Sequence, residues 1–179
     1  MFNIELPTVE RHRYNMGSYF YHNWSHTMPT VAQYIDRIAF ADRMIKLRTE
    51  GLTQADTMKQ LPFPANCMNW NLGHILVFRD VYLGAIDGVT QADPAEYAIY
   101  GAGSEPLTDP SKALPLDVLL ERLDESSQRV KDTLLSLPAD KLSEPYKEKT
   151  LDDHLMFYII VHEALHVGQL EILQELART

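Results

Sequence analysis

Residues 152–177, DDHLMFYIIVHEALHVGQLEILQELA, decide the fold. Leu155, Ile159, His162, His166, Leu170, Leu173 and Leu176 recur at spacings of three and four, the period of an amphipathic helix, with Asp152 or Asp153 as its cap. Two of the residues in this apolar stripe are imidazoles one turn apart. Residues four apart on a helix are offset by about 40° and 6 Å, so His162 and His166 can converge on one ion at a bond length of about 2.0–2.1 Å. As packed core residues each would need a buried hydrogen-bond partner, at a cost of about 1–3 kcal/mol if unmet. A shared divalent metal answers both needs.

Three more amphipathic helices lie upstream. The first runs over residues 29–48, with Pro29 at its first position and Thr27 or Met28 before it, and ends at Gly51. Its stripe is Val31, Tyr34, Ile35, Ile38 and Ile45, with Asp42 as a polar interruption. The second runs over residues 69–86, capped by Asn66 or Asn69, with Trp70, His74, Val77 and Val81 in line, Leu76 and Leu83 beside them, and Gly84 and Gly88 marking its end. The third runs over residues 115–137 on Leu116, Leu119, Leu120, Leu123, Val130, Leu134 and Leu137. No segment shows period-two alternation.

Four such helices satisfy one another as an all-α four-helix bundle. The stretch 87–114, broken by Gly88, Gly101, Gly103, Pro94, Pro106 and Pro110, is too long for a hairpin loop; it predicts a crossover, with a short helix at 94–100. Residues 1–27, rich in Tyr, His and Asn, have no sustained period and read as an arm on the domain or an extension from an early start codon; residues 28–179 form the bundle. His12, His22 and His26 read as surface imidazoles of that arm.

Composition narrows the function. A net charge of −9 without a basic cluster repels phosphate backbones, so no nucleic-acid partner is expected. No apolar run reaches the roughly 18–20 residues of a membrane span, and no secretory signal is evident. A single cysteine, Cys67, excludes an internal disulfide and a cysteine-rich zinc site and suits a cytoplasmic location. It reads as a packed small residue rather than a nucleophile.

A pair of histidines needs a third ligand. His74 is the candidate, since it too lies in an apolar stripe, on another helix; a satisfied core histidine is the other reading. His154 lies two turns before His162, about 12 Å along the axis, cannot share the ion, and reads as solvated near the cap. His162-Glu163-x-x-His166 also matches the zincin protease signature with Glu as general base. Only 13 residues follow His166, leaving no downstream ligand, and no strand is evident for a substrate, so a peptidase is disfavoured. Glu163 is the candidate catalytic base; a solvated or supporting residue is the alternative.

The combination of Asn69-Trp70-Asn71-Leu72-Gly73-His74 with His162-Glu163-Ala164-Leu165-His166-Val167-Gly168-Gln169 resembles the DinB-like (DinB/YfiT) superfamily of metalloenzymes, over about residues 28–179. The resemblance implies a bundle in up-down-down-up order and a metal triad of His74, His162 and His166, with zinc or nickel as the ion. It implies a homodimer acting on a small-molecule substrate, with transfer to a low-molecular-weight thiol cosubstrate, or hydrolysis, as the chemistry. A non-catalytic bundle holding a metal or ligand is the alternative. Gly168 would permit close helix contact, and Gln169 could reach a supporting partner.

Overall fold

The computed structural model describes residues 29–89, 93–138 and 140–179. The arm at 1–27, with His12, His22 and His26, lies outside them.

Four long helices form. Helix α1 (Val31–Thr49) starts two residues later than the proline suggests, because Thr30 closes a capping box with Gln33. Lys46 and Arg48 sit in its last turn, where cations meet the helix dipole favourably. A one-turn helix α2 (Gln54–Thr57) follows. Helix α3 (Met68–Asp87) begins at Cys67, whose side chain makes no cap bond, and ends on Gly88 in the left-handed conformation. Neither Asn66 nor Asn69 caps it: Asn69 is buried and binds the crossover. Helix α4 (Pro94–Tyr100) lies in the crossover, at the bounds the sequence predicts. Helix α5 (Leu116–Leu135) begins at Pro115.

The last helix runs without a break through α6 (Leu151–Leu155), a π-helical segment (Met156–His162) and α7 (Glu163–Ala177). Thr150, not Asp152 or Asp153, caps it, with Asp153 completing the capping box. Asp152 instead accepts the Tyr34 hydroxyl at 2.6 Å. Before it, Pro145–Tyr146 (β1) and Lys149–Thr150 (β2) pair as an antiparallel hairpin, too short for any alternation to show in the sequence.

The core fixes the topology. At one end Ala41 and Ile45 from late α1 pack with Met68 and Leu72 from early α3, Leu116 and Leu119 from early α5, and Leu170 and Leu173 from late α7. At the other, Tyr34 and Ile38 from early α1 meet Tyr82 and Ile86 from late α3, Val130 and Leu134 from late α5, and Leu155 from α6. The helices therefore run up, down, down and up. Since α3 and α5 are parallel, their connection must return the length of the bundle, which is what residues 88–115 do. The third apolar cluster, with Trp70, Val77, Phe78, Tyr100 and Leu107, is this crossover packed on the outer side of α3.

The π segment has a cause. Leu151, Leu155, Ile159, Glu163 and Val167 are all buried at a constant spacing of four. On an α-helix each step of four overshoots a full turn by about 40°, so four steps would carry the stripe about 160° around the axis. A turn that takes one more residue absorbs part of that drift.

Candidate metal centre

The buried positions of α3 and α7 hold charged residues as well as histidines. On α3 the fully buried charged residue is Arg79; on α7 it is Glu163, 3% exposed. His74, His162 and His166 lie on the adjoining faces and meet in the groove between α3 and the last helix. Imidazole nitrogens of all three approach within 4.8 Å of one another, and among the described residues these three are the group that can hold a metal. His74 and His166 are buried; His162 is partly exposed.

The motif 69–74 is a receptor for the end of the crossover. Trp70 Nε1 donates to Ile99 O and Ser104 Oγ, both at 2.9 Å. Asn69 donates to Leu114 O at 2.8 Å and accepts the Tyr100 hydroxyl at 2.9 Å. A Cβ on Gly73 would run into the Tyr100 ring. His74 Nδ1 lies 2.5 Å from Tyr100 O, and a carbonyl only accepts, so Nδ1 carries the proton. On the other helix His166 Nδ1 faces Asn71 Oδ1 at 3.0 Å and Gln169 Oε1 at 2.8 Å. Asn71 Nδ2 donates to Cys67 O, which fixes its oxygen toward His166. Both imidazoles therefore present a bare Nε2, the arrangement in which outer partners set the tautomer of a metal-ligating histidine.

His74 Nε2 stands 3.2 Å from His162 Nε2. Two lone pairs at that distance need a proton or a cation between them. Ligand nitrogens at about 2.0–2.1 Å from one ion are separated by roughly 2.8–3.4 Å for right-angle to tetrahedral geometry, so the spacing fits a divalent metal. Aromatic walls enclose the pair: Trp70 stacks on His74 with centroids 4.3 Å apart, and Phe78 lies 4.6 Å from His162. Burial drives His74 down to about 4, helped by His166 and opposed by the Tyr100 carbonyl. Burial and the two neighbouring imidazoles drive His162 down to about 3, and burial lowers His166. All three are neutral at neutral pH, the form that binds metal.

Glu163, the candidate base from the sequence, is not solvated. Its carboxylate is paired with Arg79 and lies 3.5 Å from the Tyr82 hydroxyl. Arg79 also donates to Asp42 at 2.9 Å and to Leu123 O at 3.0 Å, so one guanidinium joins all four long helices. Burial opposes its charge, but Glu163, Tyr82 and Asp42 outweigh burial and its pKa rises. This network escaped the sequence reading; Asp42, the lone polar residue in the α1 stripe, was its trace.

His154 corrects its sequence reading. It is half-buried between Tyr146 and Tyr158, each ring 4.6 Å away, and its Nε2 is shut from solvent without a hydrogen-bond partner. Burial, then Lys147, lowers it to about 4. Cys67 is fully buried with its thiol against Leu107 O, and burial pushes the thiol up, the behaviour of a packed residue. No helix among the described residues is long and apolar enough to cross a membrane.

Comparison with curated proteins finds no match. Among solved structures, a conserved protein from Enterococcus faecalis superposes with a TM-score of 0.63 at 16% identity, over 85% of this chain and 99% of that one. A Streptococcus pneumoniae protein does so with a TM-score of 0.64 at 12% identity, over 84% of this chain and 93% of that one. At these identities the likeness establishes the fold alone. A family model described as the DinB superfamily matches residues 37–170, and with most of its length so matched the chain belongs to the DinB superfamily.

Proposed function

We propose that the protein is a metal-dependent enzyme acting on a small molecule, with its ion held by His74, His162 and His166. The supporting observation is the convergence of three neutral imidazoles within 4.8 Å, with the Nδ1 atoms of His74 and His166 already committed elsewhere. A divalent ion, zinc or nickel, held by three imidazoles keeps an open position and supplies Lewis-acid activation of a thiol or water. The chain's part is to fix the ligands: Tyr100 O holds His74, and Asn71 with Gln169 holds His166. Trp70 and Phe78 exclude water from the inner side of the site. A thiol-dependent transferase is the leading reaction class, and hydrolysis the second.

Peptidase chemistry fits less well. A general base must reach the proton it takes, and the Glu163 carboxylate is engaged by Arg79 and Tyr82. We place Glu163 in support of the ligands rather than at the substrate.

The same reading includes a homodimer. Supporting it is a groove of about 460 Å³ between α1 and the last helix, lined by Phe40, Met44, Ile160, Ala164 and Gly168. Phe40 is half exposed, and a Cβ at Gly168 would meet nothing, which leaves room for close approach.

Metal analysis of protein purified without a histidine tag tests the centre: stoichiometric metal in the wild type and its loss in His162→Ala are expected. Equally little metal in both would sink the reading. A panel of low-molecular-weight thiols and electrophiles on loaded protein, read by mass spectrometry, then separates transfer from hydrolysis.

A further inference from the structure

The Arg79–Glu163 ion pair has no part in metal ligation, yet its two members lie on the two helices that carry the candidate ligands, and Asp42 on α1 joins it. Arg79 is five residues beyond His74 on α3, about 140° around and 7.5 Å along the axis. Glu163 directly follows His162 and precedes His166 by three. The same two helices are thus joined twice, by the histidines in the groove and by the Arg79–Glu163 ion pair in the interior. The cluster pairs two cations with two carboxylates: Asp42 meets Arg79 at 2.9 Å and Lys131 at 3.5 Å, and also accepts the Ser127 hydroxyl.

Its position along the last helix matters. The π segment ends at His162, and Glu163 is the first residue of α7. A wide turn makes i→i+5 bonds and can give up its extra residue to become α-helical. A slip of one residue turns everything beyond by about 100°, enough to take an imidazole out of the groove. A carboxylate fixed at the exit of that turn sets the angle at which His162 and His166 leave it.

We infer that Arg79 and Glu163 form a positioning clamp that locks α3 against the last helix in the rotational register the three histidines need. This deepens the metal-centre reading and rests on it. Asp42 supplies the control, because losing it takes a carboxylate from the same guanidinium without freeing the ligand helix.

The test titrates cobalt(II) into the metal-free full chain, with affinity and the visible absorption of the bound ion as readouts and circular dichroism to verify folding. Glu163→Gln is expected to weaken cobalt binding about 10–100-fold, the range for losing an outer partner of a metal site, and to alter the visible bands. Asp42→Asn is expected to lower thermal stability while leaving affinity and spectrum unchanged. If Glu163→Gln does not fold, Arg79→Met combined with Glu163→Leu removes both buried charges, an exchange cores tolerate, and is expected to show the same loss. Wild-type affinity in the Glu163→Gln or double variant overturns the clamp, as does Asp42→Asn weakening cobalt as much as Glu163→Gln. A wild type that binds no cobalt overturns the metal-centre reading and the clamp with it.

Discussion

Tyr100 lies with its ring on the bare Cα of Gly73, and its carbonyl accepts the Nδ1 proton of the neighbouring His74. The end of the crossover is thereby seated on α3 and orients a candidate ligand at once. Gly73→Ala would drive a methyl group into that ring. Overpacking of this kind costs about 1–3 kcal/mol, so thermal unfolding should show a clear drop. Since Tyr100 cannot move without releasing His74, metal affinity should fall too. Unchanged stability together with unchanged affinity would contradict the packing described.

The acid behaviour of the metal-free protein follows from its neutral histidines. His162 sits at about 3 against an ordinary 6.5. Below pH 6.5 the unfolded chain takes up a proton that the folded chain refuses. Stability is therefore full above about 6.5 and declines as pH falls toward 3. His162→Phe would place its ring beside Phe78, Phe157 and Tyr158. Denaturant melts at pH 7 and pH 5 should show a smaller loss in this variant than in wild type. An equal loss in both would mean that His162 is protonated in the native state.

The long helices were legible because their apolar residues recur at the helical period, and the crossover because glycines and prolines punctuate a stretch too long for a turn. The His162–His166 pair was legible from its spacing, while His74 was only a candidate from its stripe position until the family resemblance implied the triad. What the sequence hid was the face on which they converge. Arg79 gives no local sign of its burial, because its partner Glu163 is 84 residues away; a pairing that distant leaves no local period. The wide turn at 156–162 was hidden for a related reason, since a run of spacing-four residues fits several helical registers until the packing selects one. The caps at Thr30 and Thr150 were written in their boxes with Gln33 and Asp153, but nearby Pro29 and Asp152 offered competing signals.

Asn71 and Gln169 both receive the Nδ1 proton of His166, but they are not equivalent. Asn71 is buried and pinned by its bond to Cys67 O, whereas Gln169 is exposed, one turn along the same helix as His166. A fixed acceptor orients a ring better than a mobile one. Asn71→Ala should weaken metal binding about 10–100-fold, and Gln169→Ala much less. Parallel cobalt titrations decide this; the reverse order would make Gln169 the controlling partner.

The proposed homodimer is tested at Ala164, which lines the groove between α1 and the last helix and is itself exposed. If a second copy buries this groove, Ala164→Glu puts an uncompensated carboxylate into an apolar contact on both sides of the two-fold. Sedimentation should then find a dimer for the wild type and a monomer for the variant, with circular dichroism of each unchanged because the site faces away from the core. A wild type that sediments as a monomer at every concentration would remove the dimer from the reading and leave the metal centre, built within one chain, as it stands.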